Sequence, residues 1–299
     1  MKIILAVDGT PSSERAGELV QSTAWPPGST IRVVAAVHGA HGWIGLDGGA
    51  AVTELMAEVQ DSFEHELEQT VARARDALVE TGRTVETSVV RGRPSTVILD
   101  SATSDGADLI VLGSRGHGTW ETMLLGSVSA EVLSHAPCPV LVARTDQVRR
   151  LMLATDGSDT ARRAEDFLGA HRVFDGATVS VTSVTDVGLP WTAIGQEAMV
   201  SDQWIETHER LSEEARGVHR AFAEDAAERL RNAGYDATVH LLEGSPAHAI
   251  VEAARDLDLD LVVVGSRGHT GLSRLLIGSV ARNVLLNAHC SVLVVRAAD

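Results

Sequence analysis

Asp108-Leu-Ile-Val-Leu-Gly113-Ser-Arg-Gly116, followed after nine residues by Gly126-Ser127, returns later as Asp260-Leu-Val-Val-Val-Gly265-Ser-Arg-Gly268 and Gly278-Ser279 with the same internal spacing. Each apolar run has the length and composition of a strand buried on both faces, which is the signature of a parallel sheet. Each glycine loop therefore sits at a strand's carboxyl end. Apolar-periodic segments open just beyond, at Val128 and Val280, and read as helices.

The duplication extends outward to both ends of the chain. Lys2-Ile-Ile-Leu-Ala-Val-Asp8-Gly matches Arg150-Leu-Met-Leu-Ala-Thr-Asp156-Gly, and Cys138-Pro-Val-Leu-Val-Ala-Arg144 matches Cys290-Ser-Val-Leu-Val-Val-Arg296. In the first half, patterning predicts strands near 2–8, 30–38, 84–91, 108–113 and 138–144, with helices near 12–24, 51–81, 95–104 and 127–135 between them. Strands alternating with helices imply an α/β fold around a parallel sheet. The second helix carries Val52, Leu55, Met56, Val59, Phe63, Leu67, Val71 and Leu78 at helical spacing and stops at Gly82; its counterpart runs from about Trp204 to Ala233. The polar stretch Thr145–Arg149 separates two domains, 1–146 and 149–299. So short a linker predicts that they pack together.

Composition excludes several classes. The 299 residues are 44% hydrophobic and 22% charged, enough for two cores. Acidic residues outnumber basic ones 41 to 25, a net charge of -16, which opposes any broad nucleic-acid surface. The amino terminus lacks a signal-peptide pattern and no apolar run is long enough to span a bilayer, so a cytoplasmic protein with no membrane contact is expected. Cys138 and Cys290 head matching strands and read as buried thiols. The Leu and Met stripes are core and the glutamate-rich faces are solvated.

The glycine loops carry the chemistry. A phosphate group needs converging N–H donors, and glycine permits close backbone approach and positive φ. Gly113 and Gly116 supply that freedom in one copy, Gly265 and Gly268 in the other. Ser127 and Ser279 are placed as N-caps, leaving helix amides and the positive dipole end beside them. Arg115 and Arg267 are within reach of bound phosphates. The chain's only lysine is Lys2, so no Gly-x-x-x-x-Gly-Lys-Ser/Thr loop exists, and no Gly-x-Gly-x-x-Gly fingerprint follows the first strand.

With both copies of Gly-x2-Gly-x9-Gly-Ser in view, the chain resembles the universal stress protein family in its ATP-binding branch. The resemblance implies two tandem doubly wound domains, each a five-stranded parallel sheet of order 3-2-1-4-5 with helices on both faces. ATP and Mg²⁺ would bind at the crevice between strands one and four, the metal held mainly by the phosphates. It implies contacts from Asp8 and Asp156 to nucleoside or metal, with Ala6, Val7, Ala154 and Thr155 lining the adenine side. Val37 and Val184 would meet the adenine edge through their backbones, with Leu112 and Val264 nearby. Gly113, Arg115, Gly116, Gly126, Ser127 and Val128 would take phosphates in one domain, and Gly265, Arg267, Gly268, Gly278, Ser279 and Val280 in the other. A core role for the valines and an ordinary Asp-Gly turn for the aspartates remain alternatives. The final strands would pair the halves as an intrachain pseudo-dimer, with homodimerisation a further option.

Catalysis is not expected. His117 and His269 lie in the glycine loops, but no Ser/His/Asp set, Cys-x-x-Cys or His-Glu-x-x-His pattern accompanies them. The sequence therefore predicts a nucleotide-dependent stress-response regulator acting on a protein partner, with any ATP hydrolysis slow. A module binding another adenine nucleotide such as cyclic AMP, or only a protein, is the alternative. Glu121 in the first loop and Arg274 in the second predict tighter ATP binding by the second half. The segments around Trp43 and Trp191 read as lids, a dimer contact or plain loops.

Overall fold

The computed structural model describes residues 1–38, 50–114, 125–186, 202–268 and 277–296. Two compact units divide the chain, Met1–Gln147 and Val148–Ala297. Unit 1 runs β1 (Lys2–Ala6), α1 (Pro11–Ser22), β2 (Thr30–Val37), α2 (Ala50–Val79), β3 (Thr84–Arg91), α3 (Pro94–Asp105), β4 (Leu109–Gly113), α4 (Ser127–His135) and β5 (Val140–Ala143). Unit 2 repeats the series with β6 (Arg150–Ala154), α5 (Asp159–His171), β7 (Thr178–Thr185), α6 (Asp202–Asn232), β8 (Asp236–Glu243), α7 (Pro246–Asp256), β9 (Leu261–Gly265), α8 (Ser279–Asn287) and β10 (Ser291–Val295).

Within unit 1 the strand order is β3-β2-β1-β4-β5, and within unit 2 it is β8-β7-β6-β9-β10, every pair parallel. The order is the expected 3-2-1-4-5 in both. Ile3 pairs with Ile31 on one side and Leu109 on the other, and Leu151 stands between Val179 and Leu261 in the same way. The central strands are buried along their length, Leu5, Ile110 and Leu141 being fully enclosed in unit 1 and Leu153, Val263 and Leu293 in unit 2. Helices α1 and α2 cover one face of the first sheet, α3 and α4 the other. The chain leaves β1 for β2 and β3, then returns to β4 beside β1. That reversal opens a crevice at the carboxyl ends of β1 and β4, and of β6 and β9.

Local chemistry sets the helix starts. Pro11, Pro94 and Pro246 open α1, α3 and α7, where the missing N–H costs nothing and φ is already helical. The apolar stripe of α2 is only half used. Leu67, Val71 and Leu78 are buried, but Val59 and Phe63 are 58% and 45% exposed, and the side chains of Val52, Leu55 and Met56 lie outside the described residues. The reason is length: the 30 residues of α2 extend about 45 Å, whereas the eight residues of β2 and of β3 extend roughly 26 Å. Leu211 and Val218 on the equally long α6 are likewise exposed. Among the described residues no helix is long and apolar enough to cross a membrane.

Unit 2 holds the chain's single tyrosine, Tyr235, whose hydroxyl donates to the carbonyls of Val173 (2.5 Å) and Leu168 (3.2 Å). Burial, reinforced by Asp175, pushes its pKa well above the ordinary phenol value of 10.0. The folded state therefore holds the proton more tightly than the unfolded chain. Stability from this site is complete below pH 10 and falls as pH rises beyond it, by at most about 1.4 kcal/mol per pH unit. A spectrophotometric titration should show tyrosinate absorbance appearing only with unfolding. Ionisation near pH 10 in the folded protein would refute this.

Candidate functional site

The crevice is built first by a turn. After β1 ends at Ala6, Asp8 Oδ1 accepts the backbone N–H of Thr10 (3.0 Å) and its hydroxyl (2.6 Å). In unit 2, Asp156 Oδ1 accepts the Ser158 N–H (3.0 Å). Gly9 and Gly157 follow with φ of +79° and +76°, a conformation that favours glycine. Both aspartates thus have the turn role that the sequence left open. In unit 2 the carboxylate also faces the glycine loop, because Asp156 Oδ2 lies 2.7 Å from where a Cβ on Gly268 would stand.

Two helix amino termini then meet each crevice, and they differ. Thr10 and Ser158 are N-caps of α1 and α5, their hydroxyls accepting from the N–H groups of Ser13 and Ala161. The caps of α4 and α8 are Gly126 and Gly278, with no side-chain capping bond. The expected N-caps, Ser127 and Ser279, are instead the first helical residues, both exposed. The cap is displaced because the loop closes on glycine: the Gly126 N–H donates to the Ser114 carbonyl (3.0 Å) and the Gly278 N–H to that of Ser266 (2.7 Å). With no side chain over their first amides, α4 and α8 keep donors and a positive dipole end for an external anion.

Gly113 and Gly265 serve a different purpose. A Cβ on Gly113 would stand 2.6 Å from the backbone carbon and oxygen of Ser12, and one on Gly265 would stand 2.6 Å from Thr160 Oγ1 and 2.8 Å from its backbone carbon. Neither has the positive φ expected of a phosphate turn. They let the first turn of α1 or α5 press onto the strand end. The loop is then tied to that turn: Ser12 and Ser114 hydroxyls meet at 3.3 Å, and the Thr160 hydroxyl donates to the Arg267 carbonyl. Ser129 Oγ donates to the Gly113 carbonyl (3.0 Å) and fixes α4 to β4. The sequence reading passed over Ser12, Thr160 and Ser129, which nothing in their composition distinguishes from surface hydroxyls.

Of the remaining expected residues, Ala6, Val7, Leu112, Thr155 and Val264 are buried at neighbouring strand ends, with Ala154 half-buried, and Val37 closes β2. Val184 is displaced. Register pairs Lys2 with Thr30 and Arg150 with Thr178, so the counterpart of Val37 is Thr185, and Val184 corresponds to Ala36. The carbonyls of Val37 and Thr185 accept the N–H groups of Gly92 and Gly244 (both 3.0 Å). Val128 and Val280 are half-buried in the first turns of their helices. Arg267 is half-buried and makes no ion pair among the described residues. Arg115, Gly116, His117, Glu121, His269, Arg274, Trp43 and Trp191 lie outside those residues.

Among the described residues, no three His, Cys, Asp or Glu side chains are grouped to hold a metal ion. An open depression of about 800 Å³ lies between α6 and β8, lined by Arg220, Glu224, Glu228, Arg231, Val239 and Leu241, none of which belongs to the crevice. Chemically, each crevice offers backbone donors from a helix without a side-chain cap, and in unit 2 a carboxylate faces the glycine loop. That combination suits an anion accompanied by a cation.

Comparison with known proteins agrees with this architecture. The model of the universal stress protein family matches residues 1–144 and again 147–296. A universal stress protein of Methanocaldococcus jannaschii, MJ0531, is 37% identical over 149 residues, covering 50% of this chain and 82% of its own. One from Mycolicibacterium smegmatis is 30% identical over 251 residues, covering 79% of this chain and 78% of its own. The crystal structure of a universal stress protein from Archaeoglobus fulgidus aligns over 99% of this chain and 98% of its own, with a TM-score of 0.64 at 19% identity, a likeness of fold. With two successive domain matches on two like-ordered parallel sheets, the chain belongs to the universal stress protein family as a tandem-domain member.

Proposed function

We propose that each unit binds one ATP with Mg²⁺ at its crevice, and that the chain acts in the cytoplasm as a nucleotide-dependent stress-response regulator read by a protein partner, with little or no turnover. The observation that carries this reading is the pair of glycine-capped helices, α4 and α8, opening at the carboxyl ends of the central strands. Their first-turn amides are the donors a phosphate chain requires, and local backbone geometry offsets the net charge of -16. Asp156, and Asp8 in the corresponding place, put a carboxylate beside that chain, an arrangement that calls for a bridging cation. Mg²⁺ fits because it binds through one or two carboxylates plus phosphates. In this reading the Arg267 guanidinium supplies a charged donor from the glycine loop, while Val7 and Thr155 floor the adenine side.

Calorimetric titration of nucleotide-free protein with ATP and Mg²⁺ tests the proposal. Two bound ATP per chain is the expected stoichiometry, and product analysis over hours should show negligible hydrolysis. Absence of heat at millimolar ATP would overturn the reading. Saturation by cyclic AMP in preference to ATP would replace the ligand with a cyclic nucleotide.

A further inference from the structure

Unit 2 has a hydrogen-bonded chain, running from half-buried Arg229 through buried Glu165 to Thr155, that unit 1 lacks. Glu165, on the inner face of α5, is 3% exposed, and its Oε2 accepts both Nε (2.9 Å) and Nη2 (2.6 Å) of Arg229 from α6. Its other oxygen accepts the Thr155 hydroxyl at 3.2 Å. Thr155 is itself 4% exposed and held on every polar atom. Its N–H donates to the Thr182 carbonyl (2.8 Å), its carbonyl accepts the Ser183 hydroxyl (2.7 Å), and its hydroxyl accepts the Gly157 N–H (3.3 Å).

Unit 1 supplies an internal control. By strand register Thr155 and Ser183 correspond to Val7 and Ala35. Counted from the N-caps Thr10 and Ser158, Glu165 corresponds to Gly17; counted back from Gly82 and Gly234, Arg229 corresponds to Ala77. None of those residues has a polar side chain, yet the same sheet forms. The fold therefore does not require the network. The ion pair is also a poor source of stability, because Arg229 is 39% exposed and solvent screens its attraction while Glu165 is fully desolvated.

What the network does reach is Asp156. It clamps the residue before the aspartate and, through Thr155 Oγ1, the residue after it. In both units the aspartate accepts the N–H of the N-cap residue; in unit 1 the Thr10 hydroxyl also donates to it, and the Ser13 hydroxyl accepts the Asp8 N–H at 3.3 Å. We propose that Thr155, Glu165 and Arg229 form a positioning chain that fixes Asp156 toward the ligand of unit 2, so that the second site depends on it and the first does not. This inference rests on the nucleotide reading of the crevice.

The test uses the full chain carrying Gly126→Asp to close the first site, titrated with ATP and Mg²⁺. Thr155→Val, which installs the residue found in unit 1, is expected to weaken binding roughly tenfold, the scale of one hydrogen bond to a charged group. Thr155→Ser, which keeps the hydroxyl, should restore affinity. In an Asp156→Asn background Thr155→Val should add nothing further, since the residue it positions is already disabled. A complementary chain carrying Gly278→Asp should bind at its first site with unaltered affinity whether residue 155 is Thr or Val. Unchanged binding by Thr155→Val, or an undiminished effect in the Asp156→Asn background, would overturn the positioning role. If the Gly126→Asp parent takes up no ATP, the nucleotide reading of unit 2 fails, and this inference with it.

Discussion

Gly278→Asp should abolish ATP binding by unit 2, lowering affinity by about 100-fold or more, while thermal stability stays at or above that of the parent; Gly126→Asp should do the same in unit 1. Both glycines have extended backbone angles, φ -61° with ψ 158° and φ -61° with ψ 151°, which any residue adopts without strain. Aspartate is among the best N-cap residues, so its carboxylate will accept the first free amides of α8 or α4 and stabilise the helix. Those are the amides a phosphate would use. The variant therefore replaces the ligand's donors with an internal acceptor and adds a repelling charge. Losing two charge-assisted hydrogen bonds of about 1.5–3 kcal/mol each accounts for the expected factor. A Cβ on Gly278 comes to 3.2 Å from the Ser266 carbonyl, so the loop must yield slightly, and circular dichroism and a melting curve will show that the fold survives. Calorimetry reads the result through stoichiometry: one ATP per chain for each single variant, none for the double. Retention of two sites after Gly278→Asp would remove the phosphates from the helix termini.

The different work done by the glycines of one motif marks the limit of what the sequence could express. The tandem parallel sheets were legible in the long apolar runs and the repeat, whereas their strand order and the place of the crevice came only with the family resemblance. The division of labour among the glycines was not. Gly113 and Gly126 look alike in sequence, but one is defined by how closely α1 approaches β4 and the other by where the loop closes, and both are tertiary facts. The same holds for Val184, whose counterpart shifts by one residue because register, rather than the Val-rich composition of β2 and β7, sets the alignment. Glu165 left a faint signal. It is an acid on the face of α5 that otherwise buries Ala161, Ala164 and Leu168, and its partner Arg229 stands 64 residues away, beyond any local pattern.

Gly265→Ala is the variant with the largest expected cost in stability, about 3 kcal/mol, and its effect should fall on the fold before the ligand. The added methyl would stand within 2.6–2.9 Å of Thr160 Oγ1, the Thr160 carbonyl carbon and the Ala161 nitrogen, and two of those three atoms belong to the backbone of the first turn of α5. A side chain can rotate away, but a helix turn must translate. That translation breaks the Thr160 contact to the Arg267 carbonyl and lifts α5 from β9, the overpacking penalty of a close-packed interior. In a unit of roughly 150 residues such a loss lowers the melting temperature by roughly 6–12 °C. Gly113→Ala should act likewise in unit 1, where the obstructing atoms are the backbone of Ser12. Scanning calorimetry separates this from a ligand effect. If the first glycine of the motif served phosphate approach, the alanine variant would melt normally and bind ATP poorly. If it serves the seating of the first helix on the strand end, the melting temperature falls and the protein that remains folded below the transition still binds. A normal melting curve for Gly265→Ala would return that glycine to the phosphate site and leave the close approach of α5 unexplained.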